Sequence, residues 1–198
     1  MIDIPQMKAQ ERQSDLDERE LIADAARGDC AAFKNIYKRY NERIFNLIYY
    51  WLGDRLSAED VLQIVFMKVY RGLPDFRFES ALSTWIYRIA LNECQNQTSR
   101  AGAKYVPLDA ILGGGEELDP GPPPDDQHAV KERQQILTRA LMELPPKLRT
   151  VVVLKYQEGL SYAEIAAIMQ CTTGTVASRL NRGLAQLEKQ LRPLRRLL

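Results

Sequence analysis

Residues 106–130 read VPLDAILGGGEELDPGPPPDDQHAV, with three consecutive glycines, five prolines and six carboxylates. Such a stretch cannot bury enough apolar surface to offset the entropy of ordering it, so it reads as a linker. It decides what the rest of the chain can become. If the chain is divided there, the cores on either side are small ones. We expect a flexible N-terminal extension over 1–19, one domain over 20–105, an acidic Pro/Gly-rich linker over 106–130 and a second domain over 131–198. The linker's 25 residues reach at most ~80–90 Å extended and roughly 25–30 Å as a relaxed coil. Apolar residues on both sides recur at helical spacing, and neither an alternating strand pattern nor an internal repeat is visible. The expected fold class is all-α: two small helical domains joined by a flexible linker.

Charge follows the same division. The chain carries +1 overall, which says nothing about a partner. Its distribution says more: net +4 over 25–105, −6 over 106–130 and +5 over 141–198. Two basic blocks around an acidic one suit a chain that touches phosphate at two places, although ordinary surface variation gives similar patterns. Cys30, Cys94 and Cys171 are far apart and in no CxxC pattern. We therefore expect no metal site, no disulfide framework and a reducing cytoplasm. The single histidine, His128, is not expected to be a ligand. No apolar run approaches the ~20 residues of a membrane span. The start, MIDIPQMKAQERQSD, lacks the apolar core of a signal peptide. Enzyme signatures such as GxxxxGK, HExxH and GxSxG are missing, and the triple glycine is followed by two glutamates that would repel phosphate. No catalytic residue and no cofactor is expected.

In the first domain a short helix over Leu21–Gly28 leads to a long one carrying Phe33, Ile36, Tyr37, Tyr40, Ile44, Leu47 and Ile48, stopped by Gly53. Ser57-Ala-Glu-Asp60 resembles a capping box, with Asp where Glu or Gln is usual. The helix it opens carries Val61, Leu62, Val65, Phe66, Val69 and Tyr70 and ends before Pro74. The loop PDFRFESALS then leads to a helix from about Thr84 to Ser99. Trp85, Ile86, Ile89 and Ala90 serve its core side, with Arg88, Asn92, Gln95 and Asn96 on the other. For Trp85 core packing is preferred over a surface role.

The second domain starts with a helix to Leu144, broken by Pro145-Pro146, which opens the next one. Gly159 ends that helix. Ser161-Tyr-Ala-Glu164 fits a capping box. Thr172 then caps a last helix whose Val176, Leu180, Leu184, Leu187 and Leu191 form one apolar stripe and whose Thr175, Ser178, Arg179, Arg182 and Gln186 face solvent. Two helices at this spacing read as a helix-turn-helix. The second can enter the major groove by its N-terminal end, where Arg179, Asn181 and Arg182 can donate to base edges and threonine hydroxyls to phosphate. A plain helical hairpin with a solvated arginine face has the same pattern.

Taken together, the two domains resemble the sigma factors of bacterial RNA polymerase, specifically the extracytoplasmic-function type, which keeps regions two and four. The resemblance covers roughly Glu20 to Leu191. SAEDVLQIVFMKVYRGLPDF looks like the polymerase-binding helix, and STWIYRIALNECQN looks like the helix reading the minus-ten element. LPPKLRTVVVLKYQEGLSYAEIAAIMQCTTGTVASRLNRGLAQL looks like region four, which reads the minus-thirty-five element. The resemblance implies that Asp60, Gln63 and Ile64 meet the clamp helices of the largest polymerase subunit, with the flap of the second-largest subunit as a further contact. It implies minus-ten DNA contacts from Lys68, Phe76, Arg77, Phe78, Ser80, Ser83, Thr84, Arg88, Asn92 and Asn96. Bases there are held out of the stack, with aromatic faces supplying ~1–3 kcal/mol per base. It implies minus-thirty-five contacts from Thr173, Thr175, Ser178, Arg179, Asn181 and Arg182. The implied partners are core RNA polymerase, promoter DNA in duplex and single-stranded form, and a separate anti-sigma factor. The implied location is the cytoplasm, without stable membrane insertion, or the membrane surface through an anti-sigma partner. In the family the linker runs near the RNA path, where six carboxylates without a base could mimic nucleic acid.

Three positions depart from the family's pattern. Ile64 stands where a carboxylate is usual, Ala177 where Lys or Arg is common, and Gln170 at a turn position that often carries Gly. If that turn needs a positive φ, Gln costs about 1 kcal/mol. The competing reading is a free-standing helix-turn-helix transcriptional regulator, which leaves the docking helix, the aromatic loop and the long linker unexplained.

Overall fold

A computed structural model of the chain describes residues 17–100 and 125–194. Among them are eight α-helices: α1 (17–26), α2 (Cys30–Leu52), α3 (Arg55–Gly72), α4 (Leu82–Arg100), α5 (Asp125–Met142), α6 (Pro146–Tyr156), α7 (Tyr162–Met169) and α8 (Thr173–Leu191). Short 3-10 turns follow at Leu73–Asp75 and Arg192–Leu194. The proposed acidic mimicry by the linker concerns 106–130, of which 106–124 lie outside the described residues. Helix α5 already begins at Asp125, inside the stretch expected to be linker.

Helices α1–α4 form the first unit. Asp29 caps α2, accepting from the amide of Ala31 at 2.7 Å. Gly53 closes α2 in the left-handed region at φ 75°, its N–H returned to the Tyr49 carbonyl. Between these caps Ile36, Tyr40, Ile44, Leu47, Ile48 and Trp51 bury one face. Val61, Val65, Phe66 and Val69 of α3, and Leu82, Ile86, Ala90 and Cys94 of α4, pack against it. A fully buried Ile or Leu contributes roughly 1.5–3 kcal/mol, so these faces dominate the unit's stability. Edge-on rings join α2 to α3, with Phe33 to Tyr70 at 4.9 Å and Tyr37 to Phe66 at 4.7 Å. Helix α1 is tied on by the Tyr40 hydroxyl, which donates to Glu18 at 3.1 Å. Burial, with Glu18 beside it, pushes the Tyr40 phenol up to about 12.

One cap differs from the sequence expectation. Helix α3 starts at Arg55, not after Ser57, because Asp54 takes the cap and accepts from the Ser57 amide at 2.8 Å. Ser57 is therefore the third helical residue, and hydrogen bonds from it hold the Asp54 carboxyl below its ordinary range. Helix α4 begins two residues earlier than expected, at Leu82, whose side chain is buried.

Helices α5–α8 form the second unit. Pro146 occupies the first turn of α6, where its missing N–H costs nothing. The core is Leu144, Val151, Leu154, Ile165, Val176, Leu180 and Leu187. Helix α8 crosses α6 closely at Gly183, where a Cβ would meet a Val152 methyl at 3.0 Å. Arg149 is buried at 4% exposure and donates to the carbonyls of Met142 and Leu144, serving the end of α5.

The two units pack directly on each other, α2 against α6 and α4 against α7, and their buried apolar residues form one continuous cluster. A tether long enough to hold them apart gave no sign of this contact.

Candidate nucleic-acid interface

The helix-turn-helix is built by local hydrogen bonds. Ser161 caps α7 and forms a full capping box with Glu164: the Ser161 amide donates to the carboxylate at 2.8 Å, and the Glu164 amide donates to the Ser161 hydroxyl at 3.3 Å. The Ser161 hydroxyl, donating to the Glu164 carboxylate at 2.6 Å, and then the Ser161 amide hold that carboxyl below its usual range. Gln170 ends α7 at φ 50°, ψ 49°. This is the positive φ that glycine would adopt without strain, so the departure at this position carries the conformational cost expected of it. Thr172 then caps α8, accepting from the Thr175 amide at 3.1 Å, with its hydroxyl 2.9 Å from that of Thr175.

Along α8, Val176, Leu180, Gly183 and Leu187 are buried. Thr173, Ser178, Asn181 and Arg182 are exposed, while Thr175 and Arg179 are half-buried. Arg179 leans back to the Cys171 sulfur at 3.7 Å, and the Ser178 hydroxyl donates to the Thr175 carbonyl at 3.2 Å. All six residues expected at the minus-thirty-five element thus lie on the N-terminal half of one helix. Ala177, on the same stretch, is half-buried.

The outward face of α3 is the expected polymerase surface. Asp60, Gln63 and Ile64 are all exposed there. With the cap assigned to Asp54, Asp60 is free of the helix end. Ile64 and Met67 leave apolar surface at 40% and 53% exposure beside these polar groups.

The residues expected at the minus-ten element divide into groups. The Phe76 and Phe78 rings meet at a tilt of 58° with centroids 5.0 Å apart, Phe76 also meets Trp85 at 5.1 Å, and the Arg19 guanidinium lies over the Phe78 ring at 5.4 Å. Phe78 holds φ 57°. Trp85 packs against Gly72, where a Cβ would come within 3.0 Å of its ring, so its role is packing under the loop. Arg77, Asn92 and Asn96 are exposed, while Ser80 and Ser83 are half-buried. Lys68 reaches Glu93 at 2.5 Å, and Asn96 donates to the same carboxylate at 3.4 Å. Thr84, at 6% exposure, is buried in the first turn of α4.

Arg88 brings the second unit into the description. Its Nε donates to the Ala167 carbonyl of α7 at 2.8 Å. Beside it Tyr87, 2% exposed, donates to Glu158 at 2.6 Å, and Arg43 of α2 approaches the same carboxylate at 3.6 Å. Burial, then the Glu158 hydrogen bond, pushes the Tyr87 phenol far up. Arg149 donates to the Tyr50 carbonyl at 2.6 Å and Gln157 to the Tyr50 hydroxyl at 3.1 Å. Glu158, Arg149 and Gln157 carried no functional signal in the sequence, because nothing local relates them to α2 or α4.

Comparison with known proteins follows the same division. Residues 36–103 match the family Sigma-70 region 2, and residues 134–187 match Sigma-70, region 4. The RNA polymerase sigma-H factor of Pseudomonas aeruginosa is 36% identical over 90% of this chain and 96% of its own length. The ECF RNA polymerase sigma factor SigW of Bacillus subtilis is 36% identical over 87% and 96%, and the ECF sigma-E factor of Escherichia coli K12 is 35% identical over 90% and 96%. A solved structure of CnrH with the cytosolic domain of CnrY shares the fold at TM-score 0.64 and 23% identity, covering 89% of this chain and 97% of that one. The sigma factor RpoE from Bartonella quintana, in complex with the anti-sigma factor NepR, matches at TM-score 0.63 and 25% identity over 81% and 96%. Relatives that are sigma factors and match over nearly their whole length do not favour a free-standing regulator. With both regions in order and several relatives above 30% identity across nearly their whole length, the chain belongs to the extracytoplasmic-function (ECF) sigma factors of RNA polymerase.

Proposed function

We propose that this chain binds core RNA polymerase and directs it to promoters, reading and opening the minus-ten element with residues 20–105 and reading the minus-thirty-five element with residues 131–198, the acidic segment serving as the connection. The observation that carries this reading is the order of surfaces along one chain: an exposed polar-apolar helix face, an aromatic loop beside polar α4, then a capped recognition helix.

In this reading Asp60, Gln63 and Ile64 dock on the clamp helices of the largest subunit, and the second domain meets the flap of the second-largest. Ile64 and Met67 supply apolar contact where the usual carboxylate is lacking. Phe76 and Phe78 stack on flipped bases, with Ser80, Ser83, Asn92 and Asn96 around them and Lys68, Arg77 and Arg88 on the backbone. Lys68 exchanges Glu93 for phosphate when it does so. On duplex DNA, Arg179, Asn181 and Arg182 read base edges, while Thr173, Thr175 and Ser178 hold phosphate. The chain performs no chemistry itself. It acts in the cytoplasm, under a separate anti-sigma factor. No described helix is long and apolar enough to cross a membrane.

The test is run-off transcription with purified core polymerase on a library of genomic fragments. Initiation at discrete positions only when the chain is added is the expected result. A purified chain that never co-migrates with core polymerase, once bound inhibitors are removed, overturns the reading.

A further inference from the structure

We infer that Arg19 of α1 is a further residue of the strand-binding loop: it caps the Phe78 ring, holds that ring outward for a base, and bonds the phosphate beside the base. This rests on the reading of Phe78 as a stacking face. Among the described residues, Phe78 and Gln170 alone combine a side chain with a positive φ. For a bulky residue this backbone is unfavourable, and it persists only where the surroundings enforce it. Here it leaves Phe78 42% exposed. Two groups hold the ring there. Phe76 meets it with centroids 5.0 Å apart, and the Arg19 guanidinium lies over it at 5.4 Å. A cation over an aromatic face is attracted to the ring electrons. With Arg19 on one face, the exposed remainder is left for a base.

The position of Arg19 is set by its helix. Ile22 and Ala25 are buried, and the neighbouring Glu18 accepts from the Tyr40 hydroxyl at 3.1 Å and from Arg39 at 3.3 Å. These contacts fix α1 against α2 and bring residue 19 to the loop. Arg19 lies ahead of every motif that pointed to DNA, yet its chemistry suits a strand. A guanidinium is planar and carries its N–H donors at its edge, so a ring on its face leaves those donors for a phosphate. Arg19 is itself exposed. A nucleotide whose base stacks on Phe78 carries its phosphate along with it, and Arg19 is the cation already at that ring.

The test measures binding of the holoenzyme to a fluorescein-labelled single strand of about 12 nucleotides, a length that spans the loop's site, over a range of salt. The strand is copied from the minus-ten region of a promoter located by run-off transcription. Arg19 is exposed and α1 is held by Ile22 and Ala25, so its variants keep the fold. Arg19→Ala should weaken binding about fivefold. It should also lower the slope of log affinity against log salt by about 0.7, the loss of one phosphate contact on a single strand. Arg19→Lys should restore the slope. A residue that only props the loop would leave the slope unchanged, and that result overturns the phosphate contact. Arg27→Ala removes the same charge at the other end of α1, where Arg27 pairs with Asp24, and should keep the wild-type slope. An equal loss of slope in both variants overturns the contact as well. In a Phe78→Ala background, Arg19→Ala should weaken binding less than it does in the wild type, and full additivity overturns the capping of the ring. If Phe78→Ala alone leaves strand binding unchanged, the base-stacking reading fails on its own account, while the slope still reports whether Arg19 meets a phosphate.

Discussion

The outward face of α8 and the polar side of α4, both proposed to meet DNA, are held by different forces. The first rests on bonds between residues three apart: Ser161 with Glu164, Thr172 with Thr175. The second rests on contacts between distant parts of the chain: Trp85 on Gly72, Phe76 on Trp85, Arg88 on Ala167. A face made by its own helix is present whatever the rest of the molecule does. A face assembled across the fold depends on how distant parts of the chain pack.

The comparison can be broken most directly at α8. Each arginine–base contact is worth about 1–3 kcal/mol, so Arg179→Ala with Arg182→Ala should lower promoter-directed run-off at least tenfold. Co-migration with core polymerase should be unchanged, as measured by gel filtration. Loss of polymerase binding instead would mean that the second domain is misassigned. At α4, Asn92→Ala and Phe78→Ala should each reduce promoter opening severalfold, since a stacked base contributes ~1–3 kcal/mol. Permanganate reactivity of unpaired thymines reads this effect, and docking on the polymerase should be spared. An equal loss of docking and opening would argue against strand capture.

Smaller effects sharpen the claim that the helix-turn-helix is locally held. Ser161→Ala removes a cap and should cost about 1 kcal/mol, seen as a lower melting temperature. The same site predicts an acid sensitivity. The folded Glu164 carboxyl lies below its ordinary value, so its contribution is full above the unfolded value near ~4.3. It is lost as pH falls through the lower folded value. Thermal melts of Glu164→Gln should be flatter across that acid range than those of wild type. Gln170→Gly should raise stability by at most ~1 kcal/mol, because glycine accepts φ 50° without strain but loses more entropy on folding. A drop would show that the Gln170 side chain makes up for its backbone.

Much of the architecture was legible because helices advertise themselves. The apolar stripe of α8, the proline start of α6 and the Ser161 and Thr172 caps all depend on neighbours within four residues. The expected cap at Ser57 failed on that same local scale. Asp54 lies three residues earlier and takes the cap with the Ser57 amide, a choice between two good candidates that spacing alone does not make. The burial of Thr84 was not legible either. Its burial follows from where α4 starts relative to the core, a matter of packing and not of residue type.

By itself, then, the sequence determined the division into two helical units, the stripe each helix buries, the helix-turn-helix and the residues on its open face. These are consequences of composition and of periodicity over a few residues. Only the tertiary structure decided that the units meet, that Glu158 is buried between Tyr87 and Arg43, and that Arg88 is already occupied by a carbonyl of α7. The Tyr87–Glu158 pair spans 71 positions of sequence and the Arg88–Ala167 pair 79. No local pattern encodes which distant group will stand opposite a side chain. That is settled when whole faces find their lowest free energy together.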